Sequence, residues 1–308
     1  MTKIFIDGAA GTTGIQIRSR LMDRHEFGLI ELGEAARKDD DARAEAINDA
    51  DIVILCLPDD AARQSVAMIA NDRTRVIDAS TAHRTAADWV FGLPEIVGHH
   101  AVASARFVSN PGCYSTGFIA LIAPLVQAGL ISADALLTCD AASGYSGGGK
   151  SMIAEYEGPE GAPTAWRSYA LTLAHKHVPE MQVRSGLTHR PLFAPSVAPV
   201  YSGMIVDVPL HHAMFAGGAN ADTLRAALAD HYALSPIIHV EPSYEPATLP
   251  IELLKDRDDM RLFVFADRDS EQVRLVAALD NLGKGASGAA VQSLNLMLGL
   301  PETTGLRL

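Results

Sequence analysis

The segment Ser109-Asn-Pro-Gly-Cys-Tyr-Ser-Thr-Gly117 places Cys113 directly after a Pro-Gly turn and at the head of an apolar run that reads as a helix, Tyr114–Gln127. A thiol at a helix N-terminus feels the positive end of the backbone dipole, which favours the reactive thiolate. That position suits a nucleophile. The competing reading is a structural thiol at a turn. Cys56 lies in an apolar strand and Cys139 in a strand-like segment, so both read as packing residues. Three cysteines, odd in number and sparse, do not make a disulfide framework.

A second polar constellation is Ala174-His-Lys-His-Val-Pro-Glu180. His175 and His177 would face one side if this stretch is extended, and the Glu180 carboxylate could hold His177 in one tautomer for acid/base work. Three readings stand side by side here: a catalytic base, a metal site and a solvated surface. Ser143-Gly-Tyr-Ser-Gly-Gly-Gly-Lys150 ends in a cation after three glycines. It resembles an anion-binding nest, since it lacks the spacing of a Walker loop. The alternative is a flexible surface loop. The doublets His99-His100 and His211-His212 have no motif around them and read as incidental.

The elements that must position these groups begin at the N-terminus. Lys3–Asp7 reads as a strand, Gly8-Ala-Ala-Gly-Thr-Thr-Gly14 follows at once, and Ile15, Ile17 and Leu21 open a helical run. Glycines between a strand and a helix let the backbone approach a pyrophosphate, and the free N–H groups of the helix bind its charge. Gly8, Gly11 and Gly14 thus become dinucleotide-binding candidates, with Thr12 and Thr13 as hydroxyl donors. A tight turn with no ligand is the plain alternative. The second strand reads as Gly28–Leu32, and Arg37-Lys38 follows it, where a cation would meet a ribose 2′-phosphate. Glu34 and Asp39–Asp41 crowd the same segment, so the two cations also fit a solvated helix face.

Asp51–Leu57 is a continuous apolar strand, as in a parallel sheet covered on both faces. Pro58 ends it, Asp60–Ala70 reads as a helix and Arg75–Ala79 as another strand. This alternation predicts a Rossmann-type doubly wound parallel sheet over roughly the first 110 residues. After Pro111-Gly112 the texture changes, and strand-like segments recur at Ala135–Ala141, Met204–Val208 and Arg261–Asp267. They predict an α+β second domain with a mostly antiparallel sheet. The tail, Ala286–Leu298, is helical again, with Ala290, Leu294 and Leu298 spaced by four.

With 308 residues, two hydrophobic cores are expected. Apolar residues make up 48% and charged residues 20%, as in ordinary globular proteins. A net charge of −12 and a pI near 5.3 argue against nucleic acid or an anionic membrane as partner. No run approaches the roughly 18 apolar residues of a membrane span, and the N-terminus has no basic-then-apolar signal pattern. The expectation is a cytoplasmic protein with reduced thiols.

Taken together, these residues resemble the short-form N-acetyl-γ-glutamyl-phosphate reductases of arginine biosynthesis. The blocks that carry the resemblance are Gly8–Gly14, Leu55-Cys-Leu-Pro-Asp59, Asn110-Pro-Gly-Cys-Tyr114, Ser143–Lys150, His175–Glu180 and Asp280-Asn-Leu-Gly-Lys-Gly285. The resemblance implies an NADP-binding domain over 1–112, completed by a C-terminal helix over 286–308, around a catalytic and oligomerisation domain over 113–285. It implies NADP(H), an acyl phosphate substrate, a homo-oligomer (dimer or tetramer), Cys113 as nucleophile and His177 as acid/base, with Glu180 orienting it. Leu57, Pro58 and Asn281 fall in blocks expected at the cofactor. Ser143, Gly144 and Lys150 are expected at the phosphate, with Arg84 as an alternative. Aspartate-semialdehyde dehydrogenases share this architecture and chemistry. From other classes, a metallohydrolase using His175, His177 and Glu180, and a non-catalytic NADP-binding regulator, are the rival readings.

Overall fold

The computed structural model describes residues 1–242, 247–269 and 271–308. The chain divides into two units, Met1–Pro111 with Ala286–Leu306, and Gly112–Gly285 with Arg307–Leu308.

The first unit is built on six parallel strands. In chain order its elements are β1 (Thr2–Asp7), α1 (Thr12–Leu21), β2 (Phe27–Ile30), α2 (Asp40–Asp49), β3 (Ile52–Leu55) and α3 (Asp59–Ala67). β4 (Arg75–Asp78), β5 (Val90–Phe91), the short helices α4 (Pro94–Val97) and α5 (His99–Ser104), and β6 (Phe107–Ser109) follow. The strand order is β2-β1-β3-β4-β6-β5, with every pairing parallel. Successive strand residues point to opposite faces, so an unbroken apolar strand must be covered twice. Ile4, Ile6, Ile52, Ile54 and Ile77 accordingly enter one core with Ile17 and Leu21 of α1. Phe5, Val53, Leu55 and Val76 enter the other with Ala46, Ile47 and Trp89. The chain steps from β1 out to β2 and then back across to β3. The loops after β1 and β3 therefore frame the switch point where open α/β sheets bind ligands.

The second unit opens with α6 (Cys113–Gln127) and carries β7 (Thr138–Gly144), α7 (Gly149–Tyr156), β8 (Arg167–Ser168), α8 (Val178–Ser185) and β9 (Leu192–Ala198). β10 (Met204–His211), α9 (Ala221–His231), β11 (Ile238–Val240), β12 (Met260–Ala266) and β13 (Gln272–Leu279) complete it. Its seven-stranded sheet runs β11-β12-β13-β10-β7-β9-β8. Only the β11·β12 and β7·β9 pairings are parallel, so the sheet is mostly antiparallel. The chain then returns to the first unit through α10 (Gly288–Met297), whose Ala290, Val291, Leu294 and Met297 pack into the core that holds α1.

Several sequence expectations shift, most of them by a residue or a few at an element's end. The strand expected over Ala135–Ala141 runs over Thr138–Gly144, because its partner β9 pairs residue by residue from Thr138↔Leu192 to Gly144↔Ala198. The Ser143–Lys150 stretch is consequently not a surface loop: it ends β7, makes a short 3₁₀ turn over Tyr145–Gly148 and starts α7. The second strand ends at Ile30 and not at Leu32, which leaves Glu31 outside it. Among the described residues no helix is long and apolar enough to cross a membrane.

Candidate active site

Cys113 is the first residue of α6, with Gly112 as its N-cap. The first N–H groups of a helix have no intrahelical acceptor, so this end needs an outside partner. Glu180, on α8 and 1% exposed, supplies one: the Gly112 N–H donates to its Oε2 at 3.1 Å. Its other oxygen, Oε1, lies 4.0 Å from Nε2 of His177, the N-cap of α8. One buried carboxylate thus spans the cysteine turn and the imidazole. Arg184, one turn further along α8, has its pKa lowered by burial, an effect that Glu180 partly opposes.

The histidines are not extended side by side. Two turn residues, Lys176 and His177, lead straight into α8, so the rings meet edge to face with centroids 4.6 Å apart. The His177 N–H donates to Nδ1 of His175 at 3.2 Å. Both rings pack around Tyr114, at 6.3 Å for His175 and 5.9 Å for His177, with Phe193 closing the cluster 5.1 Å from His175. Tyr169 donates its hydroxyl to that of Tyr114, which donates in turn to the carbonyl of Ser196. Burial raises the pKa of both phenols, and the nearby Cys113 charge adds to it. Gly285 lies close to Cys113 from another side, since a Cβ there would stand 2.9 Å from Cβ of Cys113.

The other cysteines differ. Burial pushes the Cys56 thiol up to about 12, with Asp78 and Asp7 adding to the shift, and burial, with Asp140 and Asp207 adding, raises that of fully buried Cys139. Both are held as neutral thiols.

Of the residues expected at the phosphate, Ser143 is buried at the end of β7 and hydrogen-bonds Tyr114, while Gly144 is pinned by backbone (its Cβ would meet Tyr201 O at 2.6 Å). Lys150 is exposed in the first turn of α7. Arg84 belongs to the first unit, where its Nε donates to the carbonyl of Asn110. Asn281, expected at the cofactor, is 2% exposed and committed within the second unit. Its Oδ1 accepts from the Gly203 N–H and its Nδ2 donates to Ser146 Oγ.

The first unit holds a cavity of about 470 Å³ at its switch point, lined by Asp7, Gly8, Ala9, Ala10, Ile15 and Leu57 among others. Gly8 has φ +88°, and a Cβ there would fall 2.3 Å from the Cys56 carbonyl oxygen; at Gly14 it would fall 2.5 Å from Gly8 O. These two glycines pack loop on loop. At Gly11 the nearest atom would be 3.4 Å away, so nothing in the chain itself forbids a side chain there. The bare Gly11 backbone at the head of α1 is the approach surface a pyrophosphate needs, at the switch point where such sheets bind dinucleotides. Thr12 and Thr13 form the first turn of α1, and Pro58 caps α3 beside Leu57. On the cavity wall, Asp7 accepts from Arg43 at 3.0 Å and from Ser65 at 2.8 Å, a buried set.

Sequence reasoning found Arg37 on the cavity wall but not Arg18 and Glu31, which line it too. Arg37 donates to Glu34 at 2.9 Å, and Lys38 is exposed on the 3₁₀ turn that carries both cations. Helical spacing from Gly11 through Ile15 to Arg18 was the available signal for Arg18. Among the described residues no three of His, Cys, Asp and Glu converge as a metal site.

A parallel nucleotide-type sheet and a mixed-sheet unit headed by a helix-terminal cysteine define the semialdehyde dehydrogenase class. Residues 31–104 match the model of the semialdehyde dehydrogenase NAD binding domain, and residues 113–281 match that of the dimerisation domain. Solved structures of aspartate semialdehyde dehydrogenase II from Vibrio cholerae, complexed with ASA, and of aspartate semialdehyde dehydrogenase from Francisella tularensis share the fold. Their TM-scores are 0.71 and 0.72, at 17% and 12% identity, over 97% of this chain and 98% and 100% of theirs. Much nearer in sequence are N-acetyl-gamma-glutamyl-phosphate reductase 2 of Pseudomonas putida, 49% identical over 98% of both chains, and the N-acetyl-gamma-glutamyl-phosphate reductase of Brucella ovis, 49% identical over 96% of this chain and 99% of that one. The chain belongs to the N-acetyl-gamma-glutamyl-phosphate reductase family.

Proposed function

We propose that this chain reduces N-acetyl-γ-glutamyl phosphate to N-acetyl-glutamate semialdehyde, releasing phosphate, with NADPH as reductant. The observation that carries the reading is the Glu180 bridge from the Cys113 turn to His177, in a chain of this family. The Cys113 thiolate attacks the acyl carbon, the bond to the phosphate oxygen breaks and inorganic phosphate departs, leaving a thioester. A thioester carbonyl accepts hydride readily where a carboxylate does not, and that hydride is what the bound dinucleotide supplies. His177 gives a proton to the resulting oxyanion. When the carbon–sulfur bond breaks, the proton returns to His177, sulfur leaves as thiolate and the aldehyde forms. In this reading the backbone N–H of Cys113 or Tyr114, at the start of α6, stabilises the oxyanion.

Gly8, Gly11, Thr12, Thr13, Gly14, Leu57 and Pro58 hold the dinucleotide in this reading, and Arg37 with Lys38 stands near its 2′-phosphate. Ser143, Gly144 and Lys150 receive the departing phosphate, and Arg84 is the alternative. The domain over 1–112 and 286–308 serves the cofactor, and 113–285 serves catalysis and assembly of a homo-oligomer in the cytoplasm.

The test is NADP⁺ reduction with phosphate and N-acetyl-glutamate semialdehyde, run beside aspartate semialdehyde. Turnover of the N-acetylated aldehyde alone is expected. Preference for aspartate semialdehyde would move the chain to the related dehydrogenases, and no phosphate dependence would refute the acyl-phosphate chemistry.

A further inference from the structure

Dinucleotide-binding sheets read the adenosine ribose just past the end of the second strand. An acidic residue there accepts hydrogen bonds from a 2′-hydroxyl, and a cation there meets a 2′-phosphate. In this chain β2 ends at Ile30, so Glu31 holds the acidic position, and it lines the same cavity as Gly8, Ala9 and Ala10. By that rule alone the site would favour the unphosphorylated cofactor. Glu31 is not alone, however. Arg18, from α1, donates both Nε at 2.9 Å and Nη2 at 2.6 Å to its Oε1. The guanidinium lines the cavity as well, and its Nη1 makes no hydrogen bond among the described residues.

Exposure decides what this pair can do. The side chains of Arg18 and Glu31 are 44% and 58% exposed, so the ion pair is screened by water and costs little to open. A phosphate dianion offers the guanidinium a planar, bidentate partner of higher charge. Arg37 stands on the same wall and pairs with Glu34, itself 84% exposed, so that pair opens as readily, but unlike Arg18 it does not face the acidic residue at the end of β2. Lys38 does not line the cavity.

We propose that Arg18 is the specificity-determining residue for the cofactor's 2′-phosphate, and that Glu31 opposes it as the competing reader of a 2′-hydroxyl. This rests on the dinucleotide reading of the cavity made above, and Arg37 and Lys38 become secondary to Arg18. Arg18 takes the phosphate when the Oε1 contact opens, and Glu31 keeps its second oxygen toward a ribose hydroxyl when no phosphate is present. The two residues pull the preference in opposite directions.

The experiment is equilibrium binding, independent of turnover. NADPH and NADH are titrated by nicotinamide fluorescence into wild type, Arg18→Ala, Glu31→Gln and the Arg37→Ala, Lys38→Ala double variant. Adenosine 2′,5′-bisphosphate and AMP are titrated by calorimetry alongside. Arg18→Ala should weaken NADPH and the bisphosphate by about ten- to a hundredfold, the worth of charge-assisted hydrogen bonds to one phosphate, and move NADH and AMP less than about threefold. Glu31→Gln should tighten NADPH severalfold and weaken NADH. Equal losses for both cofactors in Arg18→Ala, or no loss, would overturn the proposal, as would a larger shift from the Arg37, Lys38 pair. Wild type that binds neither cofactor would overturn the cofactor reading itself, and this inference with it.

Discussion

Replacing Glu180 by Gln tests whether one carboxylate aligns both the nucleophile and the acid/base. The substitution keeps shape and volume, and the amide oxygen can still accept from the Gly112 N–H, so α6 keeps its start. What disappears is the charge. A carboxylate acceptor makes a hydrogen bond about twice as strong as a neutral one, a loss of about 1 kcal/mol at Gly112. The attraction across the 4.0 Å from Oε1 to His177 Nε2 is at most about 4 kcal/mol at the effective dielectric of protein sites, and it acts only when the ring is protonated. Side-chain relaxation and the remaining amide dipole recover much of it, so a loss of roughly 1.5–3 kcal/mol in transition-state stabilisation is expected. That is about a ten- to hundredfold fall in kcat. KM for the phosphate substrate and the dissociation constant for NADPH should hold, because Glu180 touches neither in this scheme. Glu180→Asp should not rescue the rate, since a side chain one methylene shorter cannot reach Gly112 and His177 together. Stopped-flow measurement of the first turnover, against fluorescence titration of NADPH, separates these effects. Unchanged kcat in Glu180→Gln, or a parallel loss of NADPH affinity, would refute the bridging role.

Further outcomes follow from the same geometry. Cys113→Ala should abolish turnover and leave NADPH binding intact, as judged by fluorescence titration. Iodoacetamide at neutral pH should label Cys113 before Cys56 or Cys139, because burial keeps the latter two as thiols; equal labelling in the folded protein, read by mass spectrometry, would contradict this. His177→Asn should lower kcat by about 10² to 10⁴, the worth of a general acid/base, and His175→Asn by less; the reverse ranking would exchange their roles. Alkali should destabilise the fold through Cys139. Its folded pKa is raised, so its contribution is present below about pH 8.5, where the unfolded thiol ionises, and is lost as pH rises toward the folded value. Stability measured by urea titration should therefore fall more steeply with pH above about pH 9 in wild type than in Cys139→Ala.

Local chemistry made much of the molecule legible from sequence. The Pro-Gly turn before an apolar run placed Cys113 at a helix start, and unbroken runs such as Ile52–Leu55 announced a sheet buried on both faces. What stayed hidden depended on pairing between distant segments. The extent of β7 is set by its register with β9, which the Ala135–Ala141 pattern cannot display. A two-residue error at the end of β2 put Glu31 inside a strand and so concealed the acidic position of the ribose site. A cation on a surface helix, as at Arg18, carries no signal of its own in the sequence, and only the cavity reveals what it faces. Glu180 was legible as a neighbour of His177, three residues away, but its bond to Gly112, 68 residues away in sequence, is a product of tertiary packing.

The same contrast of local and global settles an apparent conflict in charge. A chain of net charge −12 is proposed to bind both a phosphorylated dinucleotide and an acyl phosphate, each an anion. Net charge governs the field at long range, and at physiological salt that field decays within about 8 Å. At the binding positions the fixed groups are different. The head of α1 presents backbone N–H groups with no acidic residue in its first turn, and α6 and α7 likewise begin without one. By contrast α2 and α3, which begin with Asp40-Asp41 and Asp59-Asp60, keep carboxylates at theirs. Acidic first turns stabilise those two helices and repel anions. The ends assigned here to pyrophosphate and phosphate, those of α1 and α7, carry no acidic side chain in the first turn, and the carboxylate at the head of α6 is Glu180, already engaged by the Gly112 N–H. Far-field repulsion then slows encounter modestly, while affinity is set by donors within hydrogen-bond reach, which is why overall composition excludes polyanions but not these small ones.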